Sequence, residues 1–206
     1  LALPLARMGV GEVLDLLDIA AVRERFGLGD DDIVVLRDWI QTANIRWGLD
    51  TGHRQALGLA IAPELADIHT WSFGLRRMLL GYATGAGEAW NGIAPHADVA
   101  GLDAERVGTL ALVLERLVHH ARELARPAPP QEWARRLRTL LEDFLLPPDD
   151  VAAYTNEQLL QALDIWLEEC EESGFDEALT LQVVGARWLS SLQTAGMVQR
   201  FTSGAV

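Results

Sequence analysis

The chain has 206 residues, with 17 basic and 30 acidic side chains, a formal net charge of −13, and half of its residues hydrophobic. All 17 basic residues are Arg. The absence of Lys excludes a Walker A phosphate loop, a β3-type kinase lysine and Schiff-base catalysis. The bulk acidity argues against a surface that binds nucleic acid all over, because phosphate affinity comes from clustered Lys and Arg. Cys170 is the single cysteine, so no internal disulfide forms, as suits a reducing cytoplasm.

Apolar positions recur at helical spacing from the start. Val10, Val13, Leu14, Leu17, Ala21, Val22 and Phe26 predict helix over 10–26, ended by Gly27. Asp30, Asp31 and Asp32 supply N-cap chemistry for a second helix reaching Ala43, and read as a solvated helix start and not as a metal site. A polar, Gly-punctuated stretch from Arg46 to Arg54 predicts a loop leading into a short helix. Thr70 caps a stronger helix whose apolar face comprises Trp71, Leu75, Met78, Leu79 and Tyr82. Residues 84–98, with three Gly and Pro95, predict a loop, and Gly81–Gly87 a flexible connection.

The longest predicted helix runs from Asp103 to about Arg126, carrying the stripe Val107, Leu110, Leu114, Leu117, Val118, Ala121 and Leu124. Pro127, Pro129 and Pro130 break the chain before a helix holding Trp133, Leu137, Leu140, Leu141 and Phe144. Pro147-Pro148 break it again. Thr155-Asn156-Glu157-Gln158 matches a capping box, and the helix it predicts carries Leu159, Leu163, Trp166 and Cys170. Gly174 ends that helix, and a last one is predicted from about Asp176. The fold class is therefore all-α: an irregular multi-helix domain over 1–198, with 199–206 as the start of a truncated core strand.

Chemistry is sparse. His119 and His120 are neighbours on a helix, point about 100° apart and read as a surface pair. His53, His69 and His96 lack Cys or carboxylate partners at ligand spacing, and neither His-Glu-x-x-His nor Cys-x-x-Cys occurs. Gly81-Tyr82-Ala83-Thr84-Gly85-Ala86-Gly87 follows a helix, not a strand, so it lacks the setting of a phosphate loop. Glu168, Glu169, Glu171 and Glu172 read as a solvated face, and Cys170 as a buried, inert thiol. No catalytic residue, metal or cofactor is assigned. No apolar run reaches the roughly 18 residues that span a bilayer. The missing initiator Met and signal-like start suggest a piece of something longer.

Charge is unevenly placed. Residues 46–138 hold eleven Arg against ten acids, whereas 1–50 hold five against nine and 151–206 two against eight. The candidate binding residues lie within this stretch: Arg46, Trp47, His53 and Arg54 in the Gly-rich loop, with Arg76 and Arg77 on the helix after Thr70. Loops are where binding groups are presented, and Trp beside Arg can stack on a base or a partner side chain. The same Arg residues could instead pair with Asp50 and Asp67 to hold the loop.

Two stretches carry a resemblance. Ile45-Arg46-Trp47-Gly48-Leu49-Asp50 with His53-Arg54, and Thr70-Trp71-Ser72-Phe73-Gly74-Leu75-Arg76-Arg77-Met78-Leu79-Leu80-Gly81-Tyr82-Ala83, resemble the RecC (gamma) subunits of bacterial exodeoxyribonuclease V. Val10–Leu17 and Gln199–Gly204 support it. The resemblance implies a helical insertion in a helicase-like subunit without a working ATP site. It implies RecB-like and RecD-like partner subunits, double- and single-stranded DNA held by the full complex, a cytoplasmic location and no membrane. No ATP hydrolysis or DNA cleavage is expected of this segment, although the parent complex is an ATP-dependent helicase and nuclease. An independent all-α adaptor that binds only protein is the competing reading.

Overall fold

A computed structural model describes residues 6–58, 62, 65–99, 103–188 and 190. Its helices are α1 (Val10–Leu17), α2 (Ala20–Phe26), α3 (Asp30–Thr42), α4 (Thr51–Ala56), α5 (Trp71–Thr84), α6 (Asp103–Leu124), α7 (Pro130–Phe144) and α8 (Asp150–Glu172), followed by helical residues 181–188. Among the described residues there is no strand; the chain is all-α. Two isolated backbone bridges, Trp90 with Ile93 and Ala128 with Leu179, are the extended pairings present. The strand start expected at 199–206 lies outside the described residues. No helix among the described residues is long and apolar enough to cross a membrane.

The chain packs as two compact units, Leu5–Val118 and a second made chiefly of His119–Val206. In the first, the run 10–26 is two helices and not one, because the chain turns at Asp18 and Ile19. Gly27 closes α2 in the left-handed conformation (φ 63°), with Leu28 N–H bonded to the Arg23 carbonyl at 2.9 Å. At the start of α3 the Asp32 carboxylate accepts from the Gly29 N–H at 2.9 Å and also holds Arg106 of α6 at 2.6 Å. One Asp of the triplet is thus both cap and cross-link, and its carboxyl is lowered mainly by Arg106.

Helix α5 buries only part of the apolar face its sequence suggests. Trp71, Gly74, Met78 and Gly81 are buried, whereas Leu79 and Tyr82 are each 49% exposed. The reason is close approach. A methyl group on Gly74 would lie 2.2 Å from Cγ1 of Ile45, and one on Gly81 would lie 1.7 Å from the His96 carbonyl oxygen. Gly74 admits the Ile45 side chain and Gly81 the His96 backbone, while Leu79 and Tyr82 are left outward. Gly81 therefore belongs to a packed helix and not to a flexible connection.

In the second unit Trp133, Ala134, Leu137, Leu163, Trp166, Cys170, Val184 and Trp188 form a core. Pro130 stands at the first helical position of α7, where its missing N–H has no cost. Helix α8 begins five residues before the predicted capping box, because Asp149 accepts from the Ala152 N–H at 2.8 Å. Thr155 lies inside the helix and donates to the Val151 carbonyl one turn back. The last helix starts at 181 and not at Asp176, since Leu179 pairs its backbone with Ala128 in both directions, at 3.1 and 2.8 Å.

The two histidines on α6 also differ from their reading as a surface pair. His119 is exposed, while His120 is 2% exposed, with Nε2 2.8 Å from the Asp143 carboxylate and its ring edge-on to Phe144. The 100° step between neighbours lets one turn inward while the other faces water.

The glycine contacts make opposite stability predictions for one substitution. Gly81→Ala should cost more than about 2 kcal/mol, because backbone must move to admit the methyl. Gly108→Ala, at an exposed mid-helix position with nothing within 4 Å, should gain about 0.5–1 kcal/mol. Urea denaturation of the two variants measures both signs.

Candidate functional site

The candidate residues gather around the segment from Asn44 to Arg54, which joins α3 to α4. Helix α3 ends in a left-handed Asn44 (φ 58°), with Ile45 N–H bonded to the Ile40 carbonyl and Asn44 N–H to the Gln41 carbonyl, both at 3.0 Å. The segment is then clamped from two sides. On one side Val10 N–H donates to the Arg46 carbonyl, and Gly48 N–H donates to Arg7 and Met8. On the other, Arg46 N–H bonds to the His69 carbonyl at 3.0 Å, and Trp71 and Ser72 N–H donate to Gly48 and Leu49 at 2.9 Å.

Four left-handed residues meet here: Met8 (φ 54°), Asn44, Gly48 (φ 81°) and His69 (φ 67°). For Met8 and His69 this conformation costs roughly 1–2 kcal/mol each. Each is held by specific bonds. The Met8 carbonyl accepts from the buried Trp71 indole at 2.7 Å, and the His69 ring lies 2.8 Å from the Asn44 carbonyl.

Arg54 lies inside this knot, 4% exposed. Its guanidinium donates to the carbonyls of Ala66 (3.0 Å), Ile68 (2.9 Å) and Trp47 (2.8 Å), and sits 4.3 Å from the centroid of the Trp47 ring. A methyl on Gly48 would stand 2.8 Å from Nε of Arg54, so the turn needs glycine twice over. Burial pulls Arg54 below the ordinary arginine value, and the charge of Asp67 partly offsets this. Trp47 is thus half-buried with one face on a cation.

His53 is half-buried on the first turn of α4. Asp50 caps that helix by accepting from the His53 N–H at 2.8 Å, so this acid holds the helix start and not an Arg. Desolvation lowers the His53 pKa, against the opposing pull of Asp50. Arg76 is exposed and paired with Asp67. Arg77, its neighbour, reaches inward to the carbonyls of Ala43 (2.9 Å) and Ala94 (3.0 Å). Arg46 remains exposed, with Nε 3.3 Å from the Asn44 side-chain oxygen.

Beside Arg46 lies an open groove of about 590 Å³, with an apolar floor of Val10, Leu14, Ile40 and Ile45 and polar walls of Arg37, Gln41, Asn44 and Arg46. Arg37 is held by a two-pronged bond to Asp18, at 2.7 and 2.5 Å. Gln41 and Asn44 are the groove residues that sequence reasoning missed. The signal was an Asn at the end of an apolar helix, where a left-handed cap is common. The arrangement offers hydrogen-bond donors and a guanidinium to an anionic or amide-bearing group. Among the described residues no three His, Cys, Asp or Glu side chains converge on a metal position.

A helical segment that spends part of an Arg cluster on its own backbone carbonyls and presents the rest to solvent offers binding groups from a rigid frame. The model of the RecBCD enzyme subunit RecC fourth domain matches residues 1–196, and the chain belongs to that family. It is 34% identical to the RecBCD enzyme subunit RecC of Escherichia coli K12 over 209 residues, covering all of this chain and 18% of that relative. Against the same subunit of Mycolicibacterium smegmatis it is 36% identical over 152 residues, or 73% of this chain and 14% of the relative. For Mycobacterium tuberculosis H37Rv the figures are 37% over 135 residues, 65% and 12%. The chain spans less than a fifth of the length of these curated relatives.

Two predictions concern this knot. Arg54→Met keeps much of the side-chain volume and leaves three carbonyls without their cation; it should cost at least about 3 kcal/mol in denaturant unfolding. His53 has a folded pKa below its unfolded value near 6.5, so protonation favours the unfolded chain. Stability should therefore hold above that pH and fall as the pH drops through and below it. His53→Asn should flatten that portion of a stability-versus-pH curve.

Proposed function

We propose that this chain is a non-catalytic segment of a RecC-type subunit in an exodeoxyribonuclease V complex, acting in recombinational DNA repair. In this reading it shapes part of a DNA path and makes contacts with RecB-like and RecD-like subunits. The match to the RecC fourth domain over 1–196 supports the assignment to the subunit. The lack of Lys supports a role without ATP hydrolysis, and without the lysine of a PD-(D/E)xK nuclease centre.

The observation that carries the DNA reading is the exposed Arg46 guanidinium at the rim of a groove with amide walls. Arg54 and Arg77 are committed to backbone carbonyls, which leaves Arg46 and the Asp67-paired Arg76 as the cations facing outward in this cluster. A phosphate contact from Arg46 needs no rearrangement, whereas one from Arg76 requires it to leave Asp67.

In the assembled complex, Arg46→Ala should weaken DNA binding and reduce the slope of log affinity against log salt by roughly one. Arg76→Ala should change the slope less. An unchanged slope with intact assembly for both variants would leave these Arg residues as scaffold only, and would favour protein contact over DNA contact for this segment.

A further inference from the structure

After α5 the chain makes a two-residue hairpin. Trp90 and Ile93 exchange both backbone hydrogen bonds, at 3.0 and 2.9 Å, and Asn91 and Gly92 between them have φ of 50° and 76°. Two positive φ values at the central positions mark a type I′ turn, which Asn-Gly forms with little strain. Trp90 stands on this turn 65% exposed, the most exposed tryptophan among the described residues, and a methyl on Gly92 would meet nothing within 4 Å.

The turn is firmly mounted. Arg77 donates to the Ala94 carbonyl at 3.0 Å, His96 N–H donates to the Arg77 carbonyl at 2.9 Å, and the buried His96 ring lies 2.9 Å from the Thr42 hydroxyl. The His96 carbonyl in turn rests on Gly81. An indole displayed to solvent on a tethered turn has little conformational freedom left to lose on binding, as an anchor residue requires.

We infer that Trp90 is an anchor for a neighbouring subunit of the complex, inserting into an apolar pocket whose rim is basic. This rests on the reading of the chain as part of a RecC-type subunit. Charge selects a protein over a nucleic acid. The exposed Glu88 stands two residues from the indole, and the Arg77 guanidinium that reaches the turn is spent on the Ala94 and Ala43 carbonyls, so the acid beside Trp90 suits a cationic rim better than phosphate.

The test uses the full-length subunit that carries this segment, as wild type, Trp90→Ala, Trp90→Phe and Glu88→Arg, titrated with the other subunits of its complex. Trp90→Ala should weaken assembly at least about tenfold with the melting temperature of the isolated subunit unchanged, and Trp90→Phe should recover part of the loss. Glu88→Arg should also weaken assembly. Assembly unaffected by Trp90→Ala overturns the inference. So does a loss of melting temperature without loss of assembly, which would place the indole against its own chain. Loss of single-strand binding with assembly intact overturns it in favour of a base-stacking role. Failure of the wild-type subunit to assemble at all would instead overturn the RecC-complex reading, and the inference with it.

Discussion

The buried guanidinium of Arg54 ties together two irregular stretches of chain, one at Trp47 and one at residues 66–68. It reaches the carbonyls of Trp47, Ala66 and Ile68, and among the described residues no carboxylate hydrogen-bonds it. A cation in the interior is normally costly, and here planar geometry with several donors converts the cost into orientation: each carbonyl must face the same point. The Trp47 ring covers the guanidinium, and Gly48 leaves room for its Nε. With these partners set, the backbone of 44–50 has one route between the N-terminal segment and residues 69–72, and the left-handed Met8 and His69 follow from it.

The consequence for function is a division of labour among neighbouring arginines. Arg54 and Arg77 point inward and satisfy carbonyls, while Arg46 and Arg76 face out. Because 46 is fixed by backbone bonds on both sides, its side chain is offered from a rigid edge and not from a wandering loop. The acidic total of the chain therefore says little about this locality, where a cation is displayed beside a groove.

Helix α5 supplies the second constraint. Gly74 and Gly81 admit two separate loops to one face, one through the Ile45 side chain and one through the His96 backbone. The helix then acts as a mounting rail for both the arginine knot and the Trp90 turn. In the other unit the tryptophans bind differently: Trp133 and Trp188 bury their rings and spend their indole N–H groups on the carbonyls of Leu179 and Leu159, at 2.8 and 2.9 Å. The contrast with Trp90 is one of partners, since residue type is the same throughout.

Helix class, most helix ends and the caps at Thr70, Gly27 and Gly174 were legible in sequence, because they depend on local periodicity and on residues whose backbone preferences act over a few positions. The family was legible too, from runs such as Ile45–Asp50 and Thr70–Ala83. Local rules misplaced the start of α8, where Asp149 outcompeted Thr155, and the start of the last helix, where Leu179 was taken by Ala128. They placed Trp71 and Met78 inward on α5 correctly but added Leu79 and Tyr82, where close packing selected Gly74 and Gly81. They could not separate Arg54 from Arg46, or His120 from His119. Composition and periodicity determine that helices form and roughly where. Which arginine, histidine or tryptophan faces inward is decided by contacts such as Arg54 with Ala66 or His120 with Asp143, and those exist only once distant segments are packed together.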